Sequence, residues 1–311
     1  MIVPILPLYA RSFGVGLTAI GLVQLVFGLT RFSFGIVGGL VVDRFGERAS
    51  TIAGLLIVAV SSFGIGLSEN FTQLVLARGF GGAGSALFVG GLMNRILRII
   101  EPEAMGRATG ISRSSFLVGI GAGPVVGGFV AEQFGNESVF FLYGGGLLVA
   151  TVIAWLVMGR PAADREVIKR SPMDAVRAAR PLFGDVRYAV ALAATFVGWW
   201  TISGPAQTIG AVFAREELEL SRGQIGSAIS LLAVGEIVAL WVSGRAADRY
   251  GRRAVLLPSL ALLAASTAVI GQISGPAWHY YAVMIAVGIG IAASAAAAGG
   301  LLADALPRGG S

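Results

Sequence analysis

The chain has no cysteine and only one histidine, His279, among its 311 residues. Disulfides and thiolate metal sites are therefore excluded, and one imidazole cannot build a metal site alone. The same poverty argues against a membrane enzyme, which needs a convergent His, Asp or Cys constellation at the membrane surface. No cofactor is expected. Charge is scarce as well: Asp, Glu, Lys and Arg make up 13% of the residues, about half the fraction typical of soluble domains. Hydrophobic residues reach 55% and the mean hydropathy is +0.80, so water is not the main solvent of this chain. The opening MIVPILPLYARSFG lacks the basic flank and small-residue cleavage site of a secretory signal. It reads as the end of a membrane helix already under way.

What the chain does have is a series of apolar runs. A hydrocarbon core about 30 Å thick takes roughly 20 apolar residues per helix. Such spans are predicted at about 1–11 (partial), 17–42, 51–68, 71–99, 106–132, 137–159, 186–213, 222–244, 254–274 and 277–303. This is the pattern of an all-α polytopic membrane protein. Its 46 glycines suit a bilayer, where small residues let helix backbones approach closely.

The connectors alternate in charge. Eighteen of the 23 Lys and Arg residues collect on one side, among them Arg44, Arg48, Arg95, Arg98, Arg249 and Arg253, whereas Arg11, Arg215 and Arg222 lie on the other. Arg31 and Arg78 fall within spans. The positive-inside rule makes the rich side cytoplasmic, and the poor side carries Glu69, Glu132, Glu137, Glu216, Glu217 and Glu219. A nucleic-acid partner is not expected, because these cations are scattered over short connectors instead of gathered with aromatics on one soluble face. The longest polar segment, 161–185, is predicted to be a cytoplasmic linker between an N-terminal bundle, 1–160, and a C-terminal one, 186–311. Within it Ser171, Pro172 and Asp174 have the order of a helix start.

An internal repeat connects the two groups of spans. GGLVVDRFGERAS contains Gly39, Asp43, Arg44, Gly46 and Arg48, and SGRAADRYGRRAV contains Gly244, Asp248, Arg249, Gly251 and Arg253, every pair 205 positions apart. Ile20-Gly21 meets Ile225-Gly226 at the same offset. The first glycine of each set admits a neighbouring helix, the Asp sits at a helix end where it can pair with an arginine or a helix N-terminus, and the second glycine turns the chain. A hairpin that only anchors topology is the plainer reading.

These two loops resemble the signature loop of the major facilitator superfamily, found between helices 2 and 3 and again between helices 8 and 9. LARGFGGAGSA resembles the family's RxxqGxg motif through Arg78, Gly82 and Gly84, with Gly81 where glutamine is usual. GIGAGPVVGG matches gxxxGPxxGG, associated with proton-coupled antiporters, through Gly119, Gly123, Pro124, Gly127 and Gly128. A tight packing seam is the alternative for that stripe. Gly79, Gly81 and Gly84 also spell GxGxxG, but no strand precedes them and the dinucleotide reading fails. The resemblance implies two helical bundles about a central cavity, lined by helices 1, 4, 7 and 10. It further implies a chain truncated at both ends, with helix 1 partial, helices 2 to 10 present and helices 11 and 12 absent. The first loop would then lack its usual partner, helix 11, and leave Asp43 and the face around Gly39 exposed.

Ionisable groups inside spans are costly and by default functional. Arg78 is assigned by the resemblance to substrate or proton coupling; snorkelling to the interface is its alternative. Arg31 and Glu236 are related by the offset of 205, with opposite charge. Glu236 is a candidate proton carrier or a structural ion-pair member. Trp199 and Trp200 form either an aromatic wall for an amphiphilic or cationic solute or ordinary packing, and Gln24 and Gln207 add polar groups. The expectation is a multi-pass protein of a prokaryotic plasma membrane, exporting a small lipophilic or amphipathic compound in exchange for protons by alternating access. Symport or uniport of a nutrient, and a non-transporting fragment that needs a partner chain, are the alternatives.

Overall fold

A computed structural model describes residues 1–100, 105–159 and 184–305, with side chains described throughout those ranges except at 36, 37, 97, 105–114, 248 and 303–305. The predicted linker helix at Ser171, Pro172 and Asp174 lies outside the described residues, as does the side chain of Asp248. Among the described residues the secondary structure is helical throughout: α1 (Ile5–Arg11), α2 (Leu17–Gly66), α3 (Phe71–Ile99), α4 (Met105–Phe134), α5 (Asn136–Val157), α6 (Val186–Glu216), α7 (Arg222–Tyr250), α8 (Arg252–Val269) and α9 (Ala277–Ala305). Nine segments of the described residues are long and apolar enough to cross a membrane. The chain divides into two compact units, Met1–Val167 and Ile168–Ser311.

In unit 1 the spans predicted at 17–42 and 51–68 are the two arms of α2. Helical hydrogen bonding runs almost without interruption from one to the other, and only Gly46 departs from helical geometry, at φ 83°, ψ 159°. That backbone region is essentially restricted to glycine. Gly251, its counterpart in unit 2, adopts φ 90°, ψ 155° between α7 and α8. The repeat is thus one of conformation as well as of letters. It extends to the helix starts: the N-caps of α2 and α7 are Gly16 and Ser221, 205 positions apart and both extended. Ser221 accepts from the Gln224 backbone in a capping box, and Asn70 caps α3 by accepting from Gln73. Helix α1 is buried in unit 1, where Tyr9 donates to the Ser68 carbonyl at 3.1 Å and packs on Phe140.

Helix α3 is wedged between the arms of α2. A Cβ at Gly84 would meet Ile57 at 2.6 Å, one at Gly79 would meet Val26 at 2.9 Å, and one at Gly81 would meet the Ser61 Cβ at 3.1 Å. The last contact explains the glycine that stands where the family usually has glutamine. In unit 2, α9 packs against both α7 and α8 in the same manner: a Cβ at Gly235 would meet the Ile285 backbone, and one at Gly290 the Leu263 backbone at 3.1 Å.

A charged membrane crossing and its counterpart

The first arm of α2 crosses α3 at Gly82. A Cβ there would lie 2.6 Å from the Phe27 carbonyl and 3.2 Å from the Arg31 amide, and would collide with the Thr30 hydroxyl. Thr30 is turned inward because its hydroxyl donates to the Val26 and Phe27 carbonyls at 2.9 and 3.1 Å. One turn away along α3, Arg78 places its guanidinium 3.8 Å from the centre of the Phe27 ring. The glycine that brings the helices together therefore also sets the cation on the aromatic face. Arg31 and Tyr143 of α5 are within electrostatic reach of Arg78. The Nε of Arg78 is buried without a hydrogen-bond partner. Neither Arg78 nor Arg31 has an ion pair among the described residues. Arg31 lies 14 residues from Leu17 and 15 from Gly46, about 21 Å along the helix from each, near mid-span. Gln24 is half-buried two turns further out.

Unit 2 contains the same crossing in other chemistry. A Cβ at Gly288 of α9 would meet the Leu232 backbone at 2.9 Å and the Glu236 amide at 3.1 Å. Leu232 and Glu236 are the counterparts of Phe27 and Arg31. Four residues before Gly288, where unit 1 has Arg78, stands Met284; it and Leu232 are fully buried. Glu236 is half-buried and engaged with a neighbouring group.

Trp199 and Trp200 are exposed on the surface of unit 2, at 62% and 57%. They precede a π-helical segment, Ile202–Ile209, that contains Pro205 and half-buried Gln207. Pro205 cannot donate to the carbonyl four residues earlier, and the wider turn accommodates the gap. Within it Thr208 donates to the Ser203 carbonyl at 2.6 Å. No signal beyond the proline marks this segment in the sequence.

The repeated loops hold the helix ends differently. Gly39, Asp43 and Arg44 are exposed, and Asp43 has no ion pair among the described residues. Glu47 and Arg48, which follow the Gly46 turn, reach other helices. Buried Glu47 accepts from Arg95 at 3.1 Å and Arg98 at 2.9 Å at the end of α3. Arg48 donates to the Trp155 carbonyl at the end of α5, at 2.7 Å. In unit 2 Arg252 takes the place of Glu47 and lies over Gly300 of α9. Gly244 is half-buried, and Arg249 and Arg253 are exposed, Arg249 lying 5.4 Å from the Tyr250 ring. On α4, Pro124, Gly127 and Gly128 are buried and Gly119 is exposed. A Cβ at Gly123 would lie 2.7 Å from the Met1 nitrogen, and one at Gly127 2.8 Å from the Met1 carbonyl carbon.

Sequence reading singles out Arg31 and Arg78 but not their neighbours Phe27, Thr30 and Tyr143, nor the Glu47 clamp. Phe27 is signalled only by standing four residues before an intramembrane arginine.

The model of the Major Facilitator Superfamily matches residues 1–214 and 188–310. The multi-drug resistance efflux pump PmrA of Streptococcus pneumoniae is 25% identical over 269 residues, which are 83% of this chain and 65% of PmrA. The quinolone resistance protein NorA of Staphylococcus aureus is 27% identical over 158 residues, 51% of this chain and 40% of NorA. The chain thus spans less than two thirds of the length of these relatives. A bacterial homologue of the human lysosomal transporter Spinster, solved in an inward-facing, unoccupied conformation, superposes with a TM-score of 0.78 at 16% identity, over 96% of this chain and 71% of that one. With apolar spans, duplicated signature loops and a family match over nearly every residue, this integral membrane protein belongs to the Major Facilitator Superfamily.

Proposed function

We propose that the protein exports a small lipophilic or amphipathic solute across a bacterial plasma membrane by alternating access, in exchange for protons. The observation that carries this reading is Arg78, stacked on Phe27 within a membrane span and without a hydrogen-bond partner for its Nε. A desolvated cation is expensive to keep in a bilayer and serves best where it meets a ligand or a transferred charge. The duplicated hairpins at Gly46 and Gly251 act as latches at the cytoplasmic helix ends, the linker 161–185 lies on that side, and Glu236 takes up and releases the exchanged proton. Trp199 and Trp200 present an aromatic surface to the solute. The efflux pumps among the relatives support export, and the glycine stripe on α4 supports exchange over symport.

Proteoliposomes containing the protein test the coupling. Export of a lipophilic dye should follow an imposed pH gradient and collapse when the gradient is dissipated. Glu236→Gln should abolish the pH dependence while leaving counterflow of the dye. Flux that ignores the gradient and survives both Glu236→Gln and Arg78→Gln would overturn the proposal.

A further inference from the structure

We propose that the crossing of α2 and α3 recognises a carboxylate, so that the solutes held there are anionic or zwitterionic amphiphiles. The inference deepens the transport reading by naming what Arg78 meets, and its test is one of binding alone.

A guanidinium offers a face and an edge. Phe27 covers the face at 3.8 Å, which leaves the edge, with its fork of N–H donors, as the part that can hydrogen-bond a ligand. No hydrogen bond fills that edge among the described residues, and Nε is buried without a partner. Arg31 brings a second cation of the same sign within electrostatic reach, from near mid-span on the facing helix. The two repel each other in a medium that screens poorly. The described carboxylates of unit 1 stand elsewhere: Glu47 is bound by Arg95 and Arg98, Asp43 is exposed beside the Gly46 turn, and Glu69, Glu132 and Glu137 lie at helix ends. The other electrostatic neighbour is the phenol of Tyr143, which can donate a third hydrogen bond to an oxyanion. Two cations, a free planar fork and a phenol form a recognition set for a carboxylate, whose two oxygens match the fork. The Phe27 ring supplies apolar surface beside it.

The probe is pyrenebutyrate, with its neutral methyl ester as the matched control. Binding is read by energy transfer from tryptophan, with the whole chain in phosphatidylcholine nanodiscs. The acid should bind at least about ten-fold tighter than the ester. Arg78→Gln and Arg31→Gln should each weaken the acid and leave the ester unchanged, the ester also serving as the check that each variant is folded. Arg78→Lys, which keeps the charge and loses the fork, should recover only part of the preference. Equal binding of acid and ester, no measurable binding of the acid, or a preference untouched by Arg78→Gln would overturn the proposal. Nanodiscs containing phosphatidylglycerol separate a second source of oxyanion: if the preference vanishes there, the occupant is a lipid headgroup and the solute assignment falls. A chain that prefers the acid but moves nothing leaves this inference standing and breaks the transport reading. Gradient-driven flux without acid preference does the reverse.

Discussion

The two units share a backbone and differ in the chemistry placed on it. At the turn after the second span of each, Gly46 and Gly251 take the same glycine-only conformation, yet the next residue is Glu47 in one and Arg252 in the other. At the helix crossing, Gly82 and Gly288 press on counterpart backbone atoms, yet the crossing carries Arg78, Phe27 and Arg31 in unit 1 and Met284, Leu232 and Glu236 in unit 2. Close approach of two backbones tolerates one residue type, so glycine is common to both units. The side chains one turn away are free to diverge, and there the stacked pair Arg78 and Phe27 has Met284 and Leu232 as its apolar counterpart.

The clamp at Glu47 is where breaking the comparison should show most. Glu47 is 4% exposed at its side chain and holds two arginines. Glu47→Ala leaves both without their acid and should cost about 3 kcal/mol of stability, measured by denaturant titration in lipid–detergent micelles. Arg95→Ala and Arg98→Ala should each cost less, since Glu47 keeps the other partner. Arg252 is half-buried where Glu47 is buried, so Arg252→Ala in unit 2 should cost less than Glu47→Ala. Equal losses for Glu47→Ala and Arg95→Ala would refute the clamp.

A smaller effect is expected at the turns, where the units should agree. Gly46→Ala and Gly251→Ala impose the same strained geometry on a residue with a Cβ, at about 1–3 kcal/mol each. Nothing lies within 4 Å of a Cβ at either position, so backbone strain alone sets the loss. A difference above about 1 kcal/mol between the two variants would mean that the matched dihedrals do not reflect matched roles.

The features legible in the sequence are those governed by local chemistry. Span lengths follow from apolar runs, so the predicted spans fall within a few residues of α2 to α9. The turns follow from Gly46 and Gly251 because few backbones demand glycine so strictly. Partnerships across space are less legible. Glu47 stands in a hairpin that counts as basic, and its arginines are 48 and 51 residues away. Phe27 and Tyr143 meet Arg78 only through the rotation of three helices about their axes, which apolar runs do not specify when both faces of a helix are apolar. The π-helical segment was hidden for a related reason: a proline within a membrane helix is compatible with a kink, a wider turn or neither.

The sharpest comparison involves the smallest expected change in stability. Arg78→Met gives the crossing of unit 1 the residue that unit 2 carries at the same place. It removes a charge whose burial in a span costs about 2.5–3.5 kcal/mol on insertion scales, and it gives up a cation–π stack worth about 1–2 kcal/mol. The net result should be a gain of about 1 kcal/mol in denaturant stability, since Met fills an apolar crossing well. Solute flux should nevertheless be lost. That combination, a protein more stable and less able, identifies a residue retained for what it binds. A loss above about 2 kcal/mol would instead make Arg78 a structural member of unit 1, and flux lost alongside it would then say nothing about recognition.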